Sequence, residues 1–254
     1  MDPSALRDVT RREFARQAAG FERPGSLFRA SDILEWISGH IPVAADDVVL
    51  DVAGGTGQLG RHLARTARFA VIVDLTPAML ETGAGAAHER NVVFVEGDAT
   101  KLPFAPEQFD VVVSRFALHH IDDVGAATRE MARVCRRGGT VAVIDMVCEP
   151  GGRHDDLERL RDPSHVRGLQ ERELVTTLTD AGTEATVVAE RRQIMPVVPW
   201  LDQAGPPAAD RERILAALQA EANGGAPTGL RAHRADDGGL AIEHRWLIVA
   251  GRRR

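Results

Sequence analysis

The chain has 254 residues, of which 44% are hydrophobic and 27% are charged, so it can bury a sizeable core as one large domain. Its formal net charge of −6 argues against a nucleic-acid-binding protein, whose binding face would be basic. It contains no apolar run long enough to span a membrane, and its N-terminus is polar and charged, so we expect a cytoplasmic protein. The two cysteines, Cys135 and Cys148, have neither metal-binding nor redox spacing, and we therefore predict no metal site.

Two helices are predicted ahead of the first strand. An apolar stripe favours a helix over residues 4–20, and a second helix runs from Ser31 to about Gly39. These helices either fold over a ligand or only cover one face of a sheet, and the sequence favours both alternatives equally.

Strands and helices then alternate along the chain. Buried β-branched runs predict strands, and Gly138-Gly139 is expected to end the helix that precedes the fifth of them. The strands are expected at about 48–52, 69–74, 92–98, 109–115 and 140–145. This alternation implies an α/β fold with a doubly wound, mainly parallel sheet and helices on both faces.

The pattern loosens in the C-terminal part. Residues 150–168 hold proline, glycine and clustered charge, and prolines punctuate residues 196–207. Helices over 169–181 and about 210–222 and strands at 186–194 and 242–249 are expected there, which gives a seven-stranded sheet.

The stretch from Val48 to Gly60 carries the strongest functional signal. A buried strand meets the acid Asp51, and a glycine-rich turn leads into a helix whose free N–H groups point at whatever occupies the turn. Residues 55–60 match the G-x-G-x-x-G fingerprint of dinucleotide sites, and Asp74 ends the next strand. A nucleotide-like ligand is expected on this turn, and NAD is one candidate.

Three features disfavour NAD. Asp51 suits an ammonium group better than a pyrophosphate, which it would repel. Asp98 ends the third strand, where it would meet an adenine or ribose edge, and the chain has no tyrosine for a tyrosine-based hydride-transfer site. S-adenosylmethionine, with an ammonium and a carboxylate at one end, a ribose diol and a neutral adenine, fits these acids better.

Five motifs in order resemble those of class I S-adenosylmethionine-dependent methyltransferases. They lie at residues 48–57, 73–80, 96–104, 109–112 and 133–139. Ala53-Gly54 stands where Gly-Cys is commoner in the family. The resemblance covers about residues 45–148 and is closest to the ubiquinone/menaquinone-biosynthesis-like branch, the methyltransferase domain 11 type.

The resemblance implies a Rossmann-like methyltransferase fold. We expect a single methyltransferase domain over residues 1–254, with a helical cap from the N-terminus (1–44) and a cofactor-binding core (45–148). Residues 149–254 would add substrate-side insertions and the C-terminal strands.

The resemblance also implies a cofactor-binding set at the ends of the strands. Asp51 would order the methionine end, directly or through water; Asp74 would accept both ribose hydroxyls; and Asp98 would meet the adenine amino edge. The predicted set is Asp51, Ala53, Gly55, Gly57, Gln58, Asp74, Leu75, Met79, Gly97, Asp98, Ala99, Ser114 and Arg115.

Three residues at the end of the fourth strand and just after it are the predicted catalytic residues. The sulfonium drives methyl transfer, so the protein mainly aligns an acceptor and excludes water, and a general base is needed only for a protonated acceptor. His119 and His120 are the candidates for that base, and Arg115 is expected beside the sulfonium and the substrate. Alternatively, the two histidines cap a helix or are solvated.

Residues of the C-terminal part are candidates for the acceptor side. Arg161, His165 and Arg167 would suit an anionic or oxygen-rich acceptor, but we favour a local ion pair between Arg161 and Asp162 and a His165 that packs at a turn. The apolar residues Trp200, Leu201 and Trp246 line an apolar acceptor site or belong to the core.

The predicted function is therefore an S-adenosylmethionine-dependent methyltransferase that forms S-adenosylhomocysteine. Its acceptor would be an O, N or C atom of a small molecule, such as a quinol-like compound or a secondary metabolite. The alternative is a methyltransferase-fold protein that uses S-adenosylmethionine for a non-methyl, cyclase-like reaction or only binds it. We expect a monomer or homodimer, and the acidic chain disfavours nucleic-acid substrates.

Overall fold

The computed structural model describes residues 3–24, 26, 29–149 and 153–254, which form helices and strands in alternation. The helices are α1 Pro3–Phe21, α2 Ser31–Ser38, α3 Gln58–Leu63, α4 Pro77–Ala86, α5 Val124–Val134, α6 His154–Arg161, α7 Glu171–Asp180, α8 Val197–Ala204 and α9 Ala208–Ala222. The strands are β1 Val48–Val52, β2 Phe69–Asp74, β3 Val92–Glu96, β4 Phe109–Arg115, β5 Cys135–Val147, β6 Thr186–Pro196, β7 His233–Arg234 and β8 Leu240–Arg252.

The strands form one sheet in the order β3-β2-β1-β4-β5-β8-β6, with the two-residue β7 paired to β8. Pairing is parallel from β3 through β5, and β8 runs antiparallel between β5 and β6. The predicted doubly wound, mainly parallel, seven-stranded sheet is confirmed, with β7 as a short addition. Because β2 and β4 flank β1 on opposite sides, a crevice opens beyond the carboxyl end of β1, where such sheets bind ligands.

Both faces of the sheet are covered, as the apolar strands predict. Along β1, Val49 packs in one core layer, and Leu50 and Val52 pack in the other, because successive side chains of a strand point to opposite faces. Among the described residues, no helix combines the length and apolar character that a membrane crossing would require.

The two N-terminal helices pack in different places. Ile33, Leu34 and Ile37 of α2 are buried in the core layer on one face of the sheet, so this helix covers the sheet. By contrast, α1 packs against α4 and α8 and borders the cavity described below. Helix α2 therefore covers a face of the sheet, and α1 stays a candidate for the helix that folds over a ligand.

The expected helix end at Gly138-Gly139 was wrong. Helix α5 ends at Val134, and Cys135 is already extended, with φ −71° and ψ 138°. The register of β4 against β5 shifts between the Phe109–Cys135 pair and the Val111–Thr140 pair, so the two glycines lie in an irregularity of the sheet.

The sequence pattern did not predict two helices, α6 and α8, because their composition is not typical of a helix. Helix α8 has Pro199 in its first turn, a position where proline is tolerated because its missing N–H has no partner there anyway. The buried face of α6 includes the charged residues Glu158 and Arg161, so the sequence has no apolar stripe that would predict this helix.

Gly83 of α4 lies against the backbone of the glycine-rich turn. A Cβ at this position would collide with the Thr56 carbonyl oxygen and stand 2.8 Å from the Phe94 ring. We expect Gly83→Ala to lower the free energy of unfolding by about 1–3 kcal/mol, measured by chemical denaturation. Gly85→Ala, in the same helix with open space around it, should be neutral or stabilising by up to about 1 kcal/mol. Equal stability of the two variants would contradict this packing.

Candidate active site

A cavity of about 490 Å³ lies at the carboxyl edge of the parallel strands, within the size range of small-molecule sites. The glycine-rich turn, the ends of β2 and β4, helix α1 and parts of α6 and α8 enclose it. Of the predicted site residues, the following line this cavity: Ala53, Gly55, Asp74, Leu75, Met79, Gly97, Asp98, Ala99, Arg115, His119 and His120. Four others in the described chain, Asp51, Gly57, Gln58 and Ser114, do not line it.

The turn after β1 is held in a left-handed conformation. Ala53 has φ 51° and Gly55 has φ 59°. A left-handed φ costs an alanine roughly 1–2 kcal/mol, which explains why glycine is commoner at the position of Ala53 in the family that the sequence resembles. This turn brings its backbone to the wall of the cavity without bulky side chains between.

Asp74 ends β2 and is tied to the turn. Its Oδ2 accepts a hydrogen bond from the Gly55 N–H at 2.8 Å, and its Oδ1 accepts one from the Thr76 N–H at 2.8 Å. Burial raises the pKa of this carboxyl group. Each oxygen of a carboxylate has a second lone pair, so Asp74 can also accept hydrogen bonds from hydroxyl groups in the cavity.

Asp51 lies beneath the turn rather than in the cavity. Its Oδ2 accepts a hydrogen bond from the Gly60 N–H at 2.8 Å, and its Oδ1 has no partner among the described residues. Burial raises the pKa of Asp51 from 3.8 to about 6, although the charge of Arg115 opposes the shift. The carboxylate can therefore act on a ligand through its charge.

The buried charge of Asp51 should destabilise the ligand-free protein at high pH. The pKa of Asp51 in the folded protein, about 6, exceeds the ordinary 3.8. Its contribution to folding stability is therefore full below pH 3.8, where the carboxyl group is protonated, and is lost as the pH rises through about 6. We expect Asp51→Asn to gain about 1–3 kcal/mol of unfolding free energy relative to wild type between pH 4 and pH 8, measured by urea denaturation. Asp46→Asn, at an exposed position, should show no such difference; a pH-independent effect of Asp51→Asn would contradict the burial argument.

Helix α1 closes the cavity over the ends of β2 and β3. Arg7 pairs with the Asp98 carboxylate at 3.2 Å, and Arg11 donates a hydrogen bond to the Leu75 carbonyl at 3.1 Å and pairs with Glu96 at 3.2 Å. The Asp98 carboxylate also accepts hydrogen bonds from the backbone and hydroxyl of Thr100. These contacts join segments about 60 to 90 residues apart, and the sequence pattern did not reveal them.

Arg115 extends β4 to the cavity wall and is held by Gln58. Its Nη2 donates a hydrogen bond to Gln58 Oε1 at 3.0 Å, and Gln58 Nε2 in turn donates to the Phe21 carbonyl at 2.6 Å. Burial lowers the pKa of Arg115 to about 10, so it stays a cation near neutral pH. Ser114 is buried behind it, and its hydroxyl has no partner within the described part of the chain.

His119 and Asp145 form a buried pair at the edge of the cavity. His119 lies in a short 3-10 helix, Leu118–His120, and its Nδ1 is 2.6 Å from Asp145 Oδ1. The Asp145 carboxylate also accepts hydrogen bonds from the backbone N–H groups of Leu118 and Met146. Since a carboxylate only accepts, we assign the proton to Nδ1, which leaves Nε2 as a hydrogen-bond acceptor.

His120 has a different environment. Its Nδ1 is 3.0 Å from the Ser164 hydroxyl, and the ring of Phe14 packs edge-on at 4.9 Å. Burial, reinforced by the neighbouring His119, lowers the pKa of His120 to about 3. His120 is therefore a neutral, half-buried side chain, and His119 is buried, so neither is the solvated histidine of the alternative prediction.

The predicted ion pair of Arg161 with Asp162 was wrong. Arg161 Nε lies 2.8 Å from Glu158 Oε2, one turn earlier in α6, and its guanidinium stacks at 4.8 Å over the ring of Trp200. Asp162 instead accepts a hydrogen bond from Gln17 of α1 at 3.0 Å. Glu158 becomes a neighbour of Arg161 only because the segment is a helix, in which residues three apart lie side by side.

The acceptor-side residues close the cavity opposite the turn. Arg161, a candidate for the acceptor side, and its neighbour Asp162 both line the cavity. Trp200 and Trp246 are buried and also line it, so they serve both core and cavity.

Comparison with known proteins agrees with this architecture. Residues 50–143 match the family described as a methyltransferase domain. The demethylmenaquinone methyltransferase of Roseiflexus sp. (strain RS-1) is 36% identical over 149 residues, which cover 57% of this chain and 63% of that protein. The uncharacterised methyltransferase YcgJ of Bacillus subtilis is 37% identical over 130 residues, covering 48% of this chain and 51% of YcgJ. The chain thus spans about half to two thirds of the length of these relatives.

Solved structures share the fold over most of the chain. The crystal structure of Bacillus subtilis YcgJ has a TM-score of 0.80 and 25% identity, covering 88% of this chain and 99% of YcgJ. Geranyl diphosphate C-methyltransferase of Streptomyces coelicolor, solved with S-adenosylhomocysteine, has a TM-score of 0.64 and 15% identity, with 98% of each chain covered. The [4+2]-cyclase SpnF has a TM-score of 0.63 and 19% identity, covering 91% of this chain and 81% of SpnF. The last two likenesses show the fold alone.

The chain therefore has the Rossmann-like fold of class I methyltransferases. Residues 50–143 match a methyltransferase domain, and the chain is similar to YcgJ, so the family resemblance predicted from the motifs is confirmed.

Proposed function

We propose that this chain is an S-adenosylmethionine-dependent methyltransferase acting on a small molecule. The observation that carries the proposal is the Asp74 carboxylate, fixed by two backbone N–H groups at the end of β2 and still able to accept hydrogen bonds from a ribose diol in the cavity. The match of residues 50–143 to a methyltransferase domain supports the same donor.

The cavity residues fit each part of this donor. The turn at Ala53 and Gly55 would hold the methionine portion, and the Asp51 charge beneath it favours a cationic ligand. Leu75 and Met79 would pack against the ribose and adenine, with Asp98 at the adenine edge. The bound donor supplies an electrophilic methyl group, and the protein aligns the acceptor and excludes water.

The acceptor would occupy the opposite half of the cavity. Phe116, Trp200 and Trp246 give that half an aromatic wall, and His119 lies within it. An aromatic or apolar small molecule with a hydroxyl, amine or acidic C–H group suits this lining, since His119 can take up the proton that methylation releases. A quinol-like acceptor is one member of this class, in keeping with the demethylmenaquinone methyltransferase among the relatives.

Calorimetric titration with S-adenosylmethionine tests the donor, with NAD as the comparison ligand. We expect S-adenosylmethionine to bind more tightly, and tighter binding of NAD would overturn the assignment. A library of phenols, amines and quinol-like compounds, read out as S-adenosylhomocysteine, tests the transfer. Donor binding without product across the library would favour the cyclase-like or binding-only alternative.

A further inference from the structure

A group of three possible metal ligands lies outside the cavity, where β5 meets α6. Cys148 follows the last residue of β5, and His154 and Asp155 begin α6. One ligand atom from each residue, a sulfur, an imidazole nitrogen and a carboxylate oxygen, lies within 4.8 Å of the other two. The spacing of the cysteines in the sequence predicted no metal site, because the ligand set includes only one of them.

The donor set matches the chemistry of zinc. Thiolate, imidazole and carboxylate are the three protein ligands that Zn²⁺ uses, and tetrahedral coordination places such atoms roughly 3.5 Å apart. His154 Nδ1 already lies 3.3 Å from Asp155 Oδ1. Small side-chain movements would therefore bring the three atoms around one ion.

Neighbouring groups orient the Asp155 carboxylate. Asp155 Oδ1 accepts hydrogen bonds from the Gly168 N–H at 2.7 Å and from His165 at 2.8 Å, so the contact with His154 is the longest of the three. Partners of this kind fix the direction of a coordinating carboxylate.

Gly168 also makes room for the thiol. A Cβ at position 168 would clash with the Cys148 sulfur and lie 3.3 Å from the His154 ring. Cys148 and Asp155 are partly exposed while His154 is buried, which leaves a path for an ion and a position for a water ligand.

We propose that Cys148, His154 and Asp155 form a zinc-binding site that fastens the start of α6 to the end of β5. Binding displaces the thiol proton to solvent, and a water molecule completes the tetrahedron. Since Arg161 at the end of α6 lines the cavity, the ion would hold this side of the cavity in place. The proposal does not depend on the reaction that the cavity performs.

Cobalt substitution tests the site, because Co²⁺ takes zinc ligands and a cobalt–thiolate bond gives charge-transfer absorption in the near ultraviolet. The chain has two cysteines, so the signal can come only from Cys148 or Cys135. We expect metal-free protein titrated with CoCl₂ to show this band, saturating at one ion per chain and lost on adding zinc. Cys148→Ser should abolish the band, and Cys135→Ala should keep it. No band in the wild type, or a band that persists in Cys148→Ser, would overturn the proposal.

Two further measurements keep the test independent of how well one variant folds. Asp155→Asn and His154→Gln should each weaken cobalt binding by at least about 10-fold, while Asp32→Asn, an exposed carboxylate at the start of α2, should not. Saturating zinc should raise the melting temperature of the wild type by about 5 °C or more and leave that of Cys148→Ser unchanged. Equal stabilisation of both proteins would place the zinc elsewhere.

Discussion

Asp74→Ala is expected to weaken S-adenosylmethionine binding by at least about 100-fold. The carboxylate would accept hydrogen bonds from both ribose hydroxyls, and a hydrogen bond to a charged group contributes about 1.5–3 kcal/mol. Because each 1.4 kcal/mol changes a dissociation constant about tenfold, losing two such bonds exceeds a factor of about 100. Isothermal titration calorimetry with S-adenosylmethionine and with S-adenosylhomocysteine measures the loss.

Glu96→Ala is the matched control for Asp74→Ala. Glu96 is the register partner of Asp74 on β3, so the Glu96→Ala substitution removes a carboxylate from the same level of the sheet. Its side chain is 53% exposed, pairs with Arg11 and does not line the cavity, so donor affinity should be unchanged.

A ribose-modified ligand separates lost hydrogen bonds from a disturbed turn. Asp74→Ala also removes the acceptor of the Gly55 and Thr76 N–H groups, which would loosen the turn itself. Wild type should bind S-adenosylhomocysteine more tightly than its 2′-deoxy derivative, and the variant should bind the two equally. A variant that still discriminates between them would sink the ribose assignment.

The parallel sheet made much of the site predictable. Acids at the ends of β1, β2 and β3 were expected to meet, since parallel strands bring their carboxyl ends to one edge. Asp74 and Asp98 do line one cavity. Asp51 does not, because the same strand alternation that buries Val49 turns its side chain under the glycine turn, against Gly60.

What sequence patterns missed depends on contacts between distant segments. An apolar stripe predicts that α1 exists, but not that Arg7 reaches Asp98, 91 residues away. Helix α6 was missed because it buries Glu158 and Arg161 as a pair, and a periodicity of apolar residues cannot register a buried ion pair. The proximity of Cys148 to His154 was not predictable for the same reason, because it depends on where α6 packs.

The remaining large effect concerns the proton of the acceptor. With an acceptor identified by product formation, His119→Ala should lower kcat by about 100- to 10,000-fold, the range of general base catalysis. The structure supports this role because Asp145 orients the ring through Nδ1 at 2.6 Å, which favours the tautomer whose Nε2 can accept a proton. Affinity for S-adenosylhomocysteine should change less than about twofold, since His119 is expected to touch the acceptor and not the donor.

Two companion variants make the role of His119 specific. Asp145→Asn should also lower kcat, because an amide can present its NH₂ group to Nδ1 and so favour the wrong tautomer, while donor affinity stays near that of the wild type. His88→Ala removes an exposed histidine beyond α4 and should leave kcat unchanged. If His119→Ala keeps kcat within about tenfold of the wild type, the acceptor reacts already deprotonated, and the buried His119–Asp145 pair serves to shape the cavity rather than to accept a proton.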